Sequence, residues 1–175
     1  VSAMLTLLKL GGSLITDKRI EGAFREDIMK RLAREIQAAV SANPEMSLII
    51  GHGSGSFGHM AGKRYGTIHG VSSREDWRGF AEVAAAAADL NHRVTMALRE
   101  VGLPVIRFAP SASARCEDGY LVEMALHPLQ KALANGLIPV VYGDVAVDDV
   151  RGGTIVSTEV VLEYLARYLP VGRIL

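Results

Sequence analysis

A single cysteine, Cys116, stands among the 175 residues. It excludes an internal disulfide, leaves no thiol cluster for zinc and favours a reducing compartment such as the cytoplasm. An excess of charge of one sign is also missing. Nineteen Lys and Arg residues balance nineteen Asp and Glu residues, so no overall attraction to nucleic acid or an anionic membrane follows, and anion binding must be local. No apolar run approaches the length that spans a bilayer. The apolar opening VSAMLTLLKL has no basic leading region, meets Lys9 and flows into a glycine turn, so it reads as a first strand rather than a secretory leader. The pattern GxxxxGK[ST] is absent, which excludes a P-loop, and GSGSFG lacks the glycine spacing of the dinucleotide fingerprint. Internal repeats, low-complexity tracts and interdomain linkers are absent as well, and 49% hydrophobic with 22% charged residues suits one globular domain with a substantial core.

The stretch GHGSGSFGH, residues 51 to 59, follows the apolar run Leu48, Ile49, Ile50. A strand that runs into closely spaced glycines offers bare backbone amides at a sheet end, where a phosphate can approach. Ser54 and Ser56 add hydroxyl donors, and His52 and His59 add imidazoles. For His52 two roles stay open, contact with an anion or bracing of the loop. A second such loop, Gly11, Gly12 and Ser13, follows the run Leu5 to Leu10, and Lys9 and Lys18 bracket it. Two phosphate loops suggest two phosphorylated ligands, as a phosphoryl transferase needs, since its catalysis is mostly positioning and charge neutralisation.

Apolar spacing predicts a helix over 27–40 with Ile28, Leu32, Ile36 and Val40 inward, and a long helix from a capping box at Ser73–Asp76 to about Val101. That second helix presents Trp77, Phe80, Ala84, Ala87, Asn91, Val94 and Leu98 along one face. Its run Ala84–Ala88 reads either as close helix packing or as a wall left low for a ligand. Strands are expected at 105–108 and 138–142, a hairpin around Asp118 and Gly119, two short strands at 145–148 and 152–156, and helices at 128–135 and 159–168. Asp148 and Asp149 read as turn residues. The alternation describes an α/β fold, a three-layer αβα sandwich with a mostly parallel sheet. Ligands in such folds collect beyond the carboxyl ends of the strands, where Lys9, Gly11, His52, Ser54, Ser111 and Asp144 all fall.

KLGGSLITDK at 9–18, GHGSGSFGH at 51–59 and PVVYGDVAVD at 139–148 resemble the amino acid kinase superfamily, most closely the isopentenyl phosphate kinases, over essentially the whole chain. The resemblance implies transfer of the γ-phosphoryl of ATP, with Mg²⁺, to isopentenyl phosphate in isoprenoid synthesis. It implies that Lys9, Gly11, Gly12, Ser13 and Gly55 hold the transferring phosphates and that Lys18 stabilises charge on the reacting oxygens. Ser54, Gly55 and His59 would bind the acceptor phosphate, and Asp144 would orient the lysines. Where the family usually has Ser-Gly-Asp, this chain has Ser157, Thr158, Glu159, so Thr158 either supplies its own amide to the substrate or narrows the site. No protein-borne metal cluster is expected. The single domain 1–175 is expected to be the N-terminal, acceptor part of the fold, with the half that holds adenine and ribose beyond Leu175. A cytoplasmic homodimer is the default. Two other readings are a kinase of another phosphate or phosphonate such as fosfomycin, and a binding module that does not turn its phosphometabolite over.

Overall fold

The computed structural model describes residues 4–17 and 19–175. Strand β1 (Leu5–Leu10), the one-turn helix α1 (Gly12–Ile15) and helix α2 (Glu26–Ala42) open the chain. Strand β2 (Ser47–His52), helix α3 (Gly55–Tyr65) and helix α4 (Arg74–Glu100) follow. Next come β3 (Val105–Arg107), the hairpin of β4 (Arg115–Glu117) and β5 (Tyr120–Glu123), and α5 (His127–Ala134). The last elements are β6 (Ile138–Tyr142), β7 (Asp144–Asp148), β8 (Gly152–Val156), α6 (Thr158–Tyr168) and β9 (Val171–Ile174).

The central sheet has the order β3-β6-β2-β1-β9 with every pairing parallel. Its inner strands β6, β2 and β1 are largely buried, which is why they read as nearly unbroken apolar runs, while the edge strands β3 and β9 are mostly exposed. Leu48 and Ile50 face one side with Val140, against Met29, Ala33 and Ile36 of α2 and Leu90, Val94 and Leu98 of α4. Ile49 and Val141 face the other side, against Leu129 of α5 and Val161, Leu162 and Leu165 of α6. The expected three layers therefore form. The remaining strands make a second sheet, β5-β4-β7-β8, which an apolar run by itself does not distinguish from the first.

The capping box forms as expected. Asp76 N–H donates to Ser73 Oγ at 3.1 Å, and Ser73 N–H donates to Asp76 Oδ2 at 2.8 Å. The buried stripe of α2 is Met29, Ala33 and Ile36, turned about one residue from the predicted face. Trp77 stays 41% exposed, because α4 begins beyond the edge of the core. The alanine run is a packing device. Ala84 lies against the cluster of Ala61, Val83 and Val145, and Ala87 is buried in the helix face that covers the sheet. Small side chains let α4 lie close to α3, as they do at Gly79, where an added Cβ would come within 2.7 Å of the Tyr65 ring.

Asp148, read as a turn residue, is the tie of the second sheet. It is buried and accepts backbone N–H bonds from Asp118, Gly119, Val150 and Arg151 at 2.7–3.2 Å. Burial alone would raise its pKa, but the four N–H donors outweigh that and hold it below the usual carboxylate value. Because the folded-state pKa is depressed, its contribution to stability is present above the unfolded value of about 3.9 and is lost as pH falls through the folded one. Asp148→Ala strands several donors at once and should cost about 2–4 kcal/mol. Urea melts at pH 7 and pH 3 should show the gap between wild type and variant narrowing at the lower pH; an equal gap at both would contradict the assignment.

Candidate active site

The two glycine loops touch backbone to backbone. β1 and β2 are adjacent and in register, with Leu10 opposite His52, so both loops leave the sheet at one level. Gly53 N–H donates to the Leu10 carbonyl at 3.0 Å. An added Cβ at Gly12 would stand 2.6 Å from Gly55 N, and one at Gly53 would stand 2.8 Å from Gly12 N. Thr16 closes the seam from beneath. Its buried hydroxyl donates to the Gly12 carbonyl at 2.7 Å and accepts Ser56 N–H at 3.0 Å.

Above this seam lies a cleft of ≈ 650 Å³. Lys9, Gly11, Gly12 and Ser13 line it from the first loop, Gly53, Ser54, Gly55 and His59 from the second, and Ser157, Thr158 and Glu159 from the start of α6. The N-termini of α3 and α6 both open onto it, and the partial positive charge there suits an anion. At the other end the walls are Ile68, Ile155, Val156 and the glycines Gly58 and Gly62 of α3 with Gly66 at its C-cap, and Lys63 and His69 stand beside them. Of the two readings of the run Ala84–Ala88, the ligand wall is not realised, since nothing from Trp77 to Ala88 lines the cleft; the glycines and isoleucines do.

His59 is on α3 rather than at the end of a loop, because Gly55 onward is already helical. Its Nδ1–H donates to the Gly55 carbonyl one turn back at 2.9 Å, and Ser54 Oγ lies 3.3 Å from the same nitrogen. With Nδ1 engaged, Nε2 is the atom left for a ligand, and it carries a hydrogen to donate only when the ring is an imidazolium.

Lys9 Nζ lies 2.5 Å from Glu159 Oε1, and this bond holds the Glu159 carboxyl below its ordinary range. Asp144, expected to orient the lysines, is engaged elsewhere. It is buried, Oδ2 accepts Ser111 N–H at 3.0 Å, and Oδ1 accepts Val145 N–H at 2.9 Å. Burial raises its pKa, with those bonds and one from Tyr142 pulling the other way. The carboxylate that meets Lys9 is thus Glu159, 150 residues away in sequence, where no spacing argument reaches. Lys18 lies outside the described residues.

Thr158 does not narrow the cleft with its side chain. Its buried hydroxyl donates to the His52 carbonyl at 2.5 Å, and an added Cβ at Gly51 would meet its methyl group at 2.9 Å, so the side chain points into the core. Among the described residues its N–H has no acceptor. His52 is fully buried and outside the cleft lining, which excludes direct contact with a bound anion. Burial pushes its pKa down to about 4, against a smaller opposing pull from the Gly53 carbonyl, so it is neutral at pH 7. Thr16 and Glu159 are the site residues that sequence reasoning missed. For Thr16 the only signal was a hydroxyl four residues beyond the glycine turn.

Among the described residues no three carboxylate, imidazole or thiol groups gather to hold a metal ion, and no helix is long and apolar enough to cross a membrane. The sequence pattern of the amino acid kinase family matches residues 4–175. The isopentenyl phosphate kinase of Methanocaldococcus jannaschii is 32% identical over 98% of this chain and 68% of its own length. That of Methanothermobacter thermautotrophicus is 38% identical over 84% of this chain and 56% of its own. A crystal structure of an isopentenyl phosphate kinase superposes with a TM-score of 0.89 at 33% identity, covering 97% of this chain and 70% of that one. The chain spans roughly two thirds of the length of these proteins, and it belongs to the amino acid kinase family, beside the isopentenyl phosphate kinases.

Proposed function

We propose that this chain is the acceptor-binding part of a kinase that phosphorylates isopentenyl phosphate to isopentenyl diphosphate, for isoprenoid synthesis. The observation that carries this reading is a cleft with a phosphate end and an alkyl end. Glycine-loop amides, His59 and the start of α6 meet at one end, and Ile68, Ile155, Val156 and a bare glycine face form the other. Lys63 and His69 also line the cleft, and a phosphonate with a polar tail would have only these two side chains to meet beside Ile68, Ile155 and Val156. ATP would supply the γ-phosphoryl group, its phosphates against Lys9, Gly11, Gly12, Ser13 and Gly55; those bare amides and the ammonium suit them, and Mg²⁺ would accompany the nucleotide phosphates.

Each residue then has a defined task. Ser54, Gly55, His59 and the Thr158 N–H hold the acceptor phosphate. Lys9 neutralises charge as it shifts between oxygens, and Glu159 aims Lys9. Lys18 would share that charge, while Asp144 braces the backbone at Ser111 and Val145. The adenine and ribose site is assigned to the part of the relatives' length that these 175 residues do not span. A reducing compartment such as the cytoplasm fits the unpaired, buried thiol of Cys116, and a homodimer rests on the family resemblance alone.

Calorimetric titration of the chain with isopentenyl phosphate should give saturable binding. His59→Ala should weaken it by about 1.5–3 kcal/mol, the worth of a charge-assisted hydrogen bond. Undiminished affinity in that variant, or no binding by wild type, would remove the reading.

In the full-length enzyme Lys9→Ala should lower kcat more than it raises KM, since its charge is needed most in the transition state. Glu159→Gln should lower kcat in the same direction by a smaller factor. A change confined to KM for ATP would make Lys9 a uniform binding group.

Ile155→Ala should lengthen the apolar end and improve the affinity for geranyl phosphate relative to isopentenyl phosphate. Ala87→Phe should leave that ratio alone and instead cost roughly 1–3 kcal/mol of stability through overpacking. Titrations with both ligands and a thermal melt decide between these walls.

A further inference from the structure

His52 touches nothing in the cleft, yet its ring is bonded on both nitrogens. Nδ1 lies 3.0 Å from the Gly53 carbonyl and Nε2 lies 3.0 Å from Asn91 Nδ2. A carbonyl only accepts, so Nδ1 must carry the hydrogen, and Nε2 is then the lone pair that accepts from the Asn91 amide. The ring also stacks on Tyr142, with centroids 5.5 Å apart and planes 6° from parallel. Its own carbonyl accepts the Thr158 hydroxyl at 2.5 Å. The buried imidazole thereby joins α4, β6 and the second glycine loop, and the carbonyl of the same residue joins the start of α6.

The consequence follows from peptide geometry. The Gly53–Ser54 peptide is trans and planar, so its C=O and N–H point in opposite directions. With the Gly53 carbonyl drawn inward to His52, the Ser54 N–H is turned outward, on the side where Gly53 and Ser54 line the cleft. Among the described residues that N–H donates to nothing.

We propose that His52, fixed as the Nδ1–H tautomer by the Gly53 carbonyl and held in place by Asn91, is a positioning residue that aims the Ser54 amide at the acceptor phosphate, and that Thr158 holds the same hinge from the α6 side. This rests on the phosphate-site reading above. It assigns the buried histidine a role through the backbone, and it gives the inward-turned Thr158 hydroxyl a function. Neutrality of the ring at pH 7 is a condition of the arrangement, since an imidazolium would face the Asn91 amide with a second donor.

Nitrogen-15 spectra of the chain should show His52 protonated at Nδ1 alone at pH 7, and the Ser54 amide should shift when isopentenyl phosphate is added. His52→Leu, which removes the donor at similar volume, should weaken isopentenyl phosphate at least tenfold and alter hydrogen exchange at the Ser54 amide. His52→Asn places an amide N–H near the Nδ1 position and should restore most of the affinity, which a purely volumetric role would not predict. If the Leu variant does not fold, Asn91→Leu removes the bond that holds the far side of the ring while the Gly53 carbonyl keeps Nδ1 protonated, and should give severalfold weaker binding. An Nε2–H ring in wild type, or a folded His52→Leu or Asn91→Leu variant that binds as tightly as wild type, would overturn the proposal. Failure of wild type to bind isopentenyl phosphate would instead sink the function proposed above, and the ring protonation and Ser54 exchange would still decide the brace.

Discussion

The contact between two glycine loops is the constraint on which this site depends. Parallel neighbours in register deliver both loops to the same level, and the backbones then approach until no side chain fits between Gly12, Gly53 and Gly55. A single methyl group there would have to push one loop away, and with it either Lys9 or His59. The Thr16 hydroxyl, bonded to one loop and accepting from the other, shows that the seam is held as well as permitted. The free amides that remain face the cleft because the opposite faces of those peptides are already engaged.

Electrostatics in the molecule divides by depth. Buried ionisable groups are either neutral or saturated with donors. His52 lies between an amide and a carbonyl, Asp144 accepts two backbone N–H groups, and Asp148 accepts four. These groups position backbone. The groups that can change partners are nearer solvent, namely Lys9, Glu159 and His59, and these are the ones placed to meet a ligand. A carboxylate that must hand a lysine to an incoming phosphate is better placed at the cleft than in the core, where leaving it unpaired would be costly.

The second sheet gives the cleft its far wall. β8 brings Ile155 and Val156 over the bare face of α3, and the four N–H bonds to Asp148 tie that sheet to the 67–71 segment through Arg151, whose carbonyl accepts Val71 N–H at 2.7 Å. Glycines at a four-residue spacing on α3 make room that large side chains would close. The alanines of α4 serve the other purpose of small residues, close contact between helices.

Much of this was legible in the residues themselves. Unbroken apolar runs, the capping box at Ser73 and Asp76 and the glycine turns after β1 and β2 determined the α/β layers, and the lysine and histidine beside those turns marked a phosphate site, because each is a local pattern with a local cause. What lay beyond the sequence is everything that depends on which distant residues meet. Glu159 rather than Asp144 faces Lys9, Thr158 turns inward to His52, the alanine run packs instead of lining the cleft, and four strands separate into a second sheet. Register and crossover decide those contacts, and no spacing along the chain encodes the distance between residues 9 and 159.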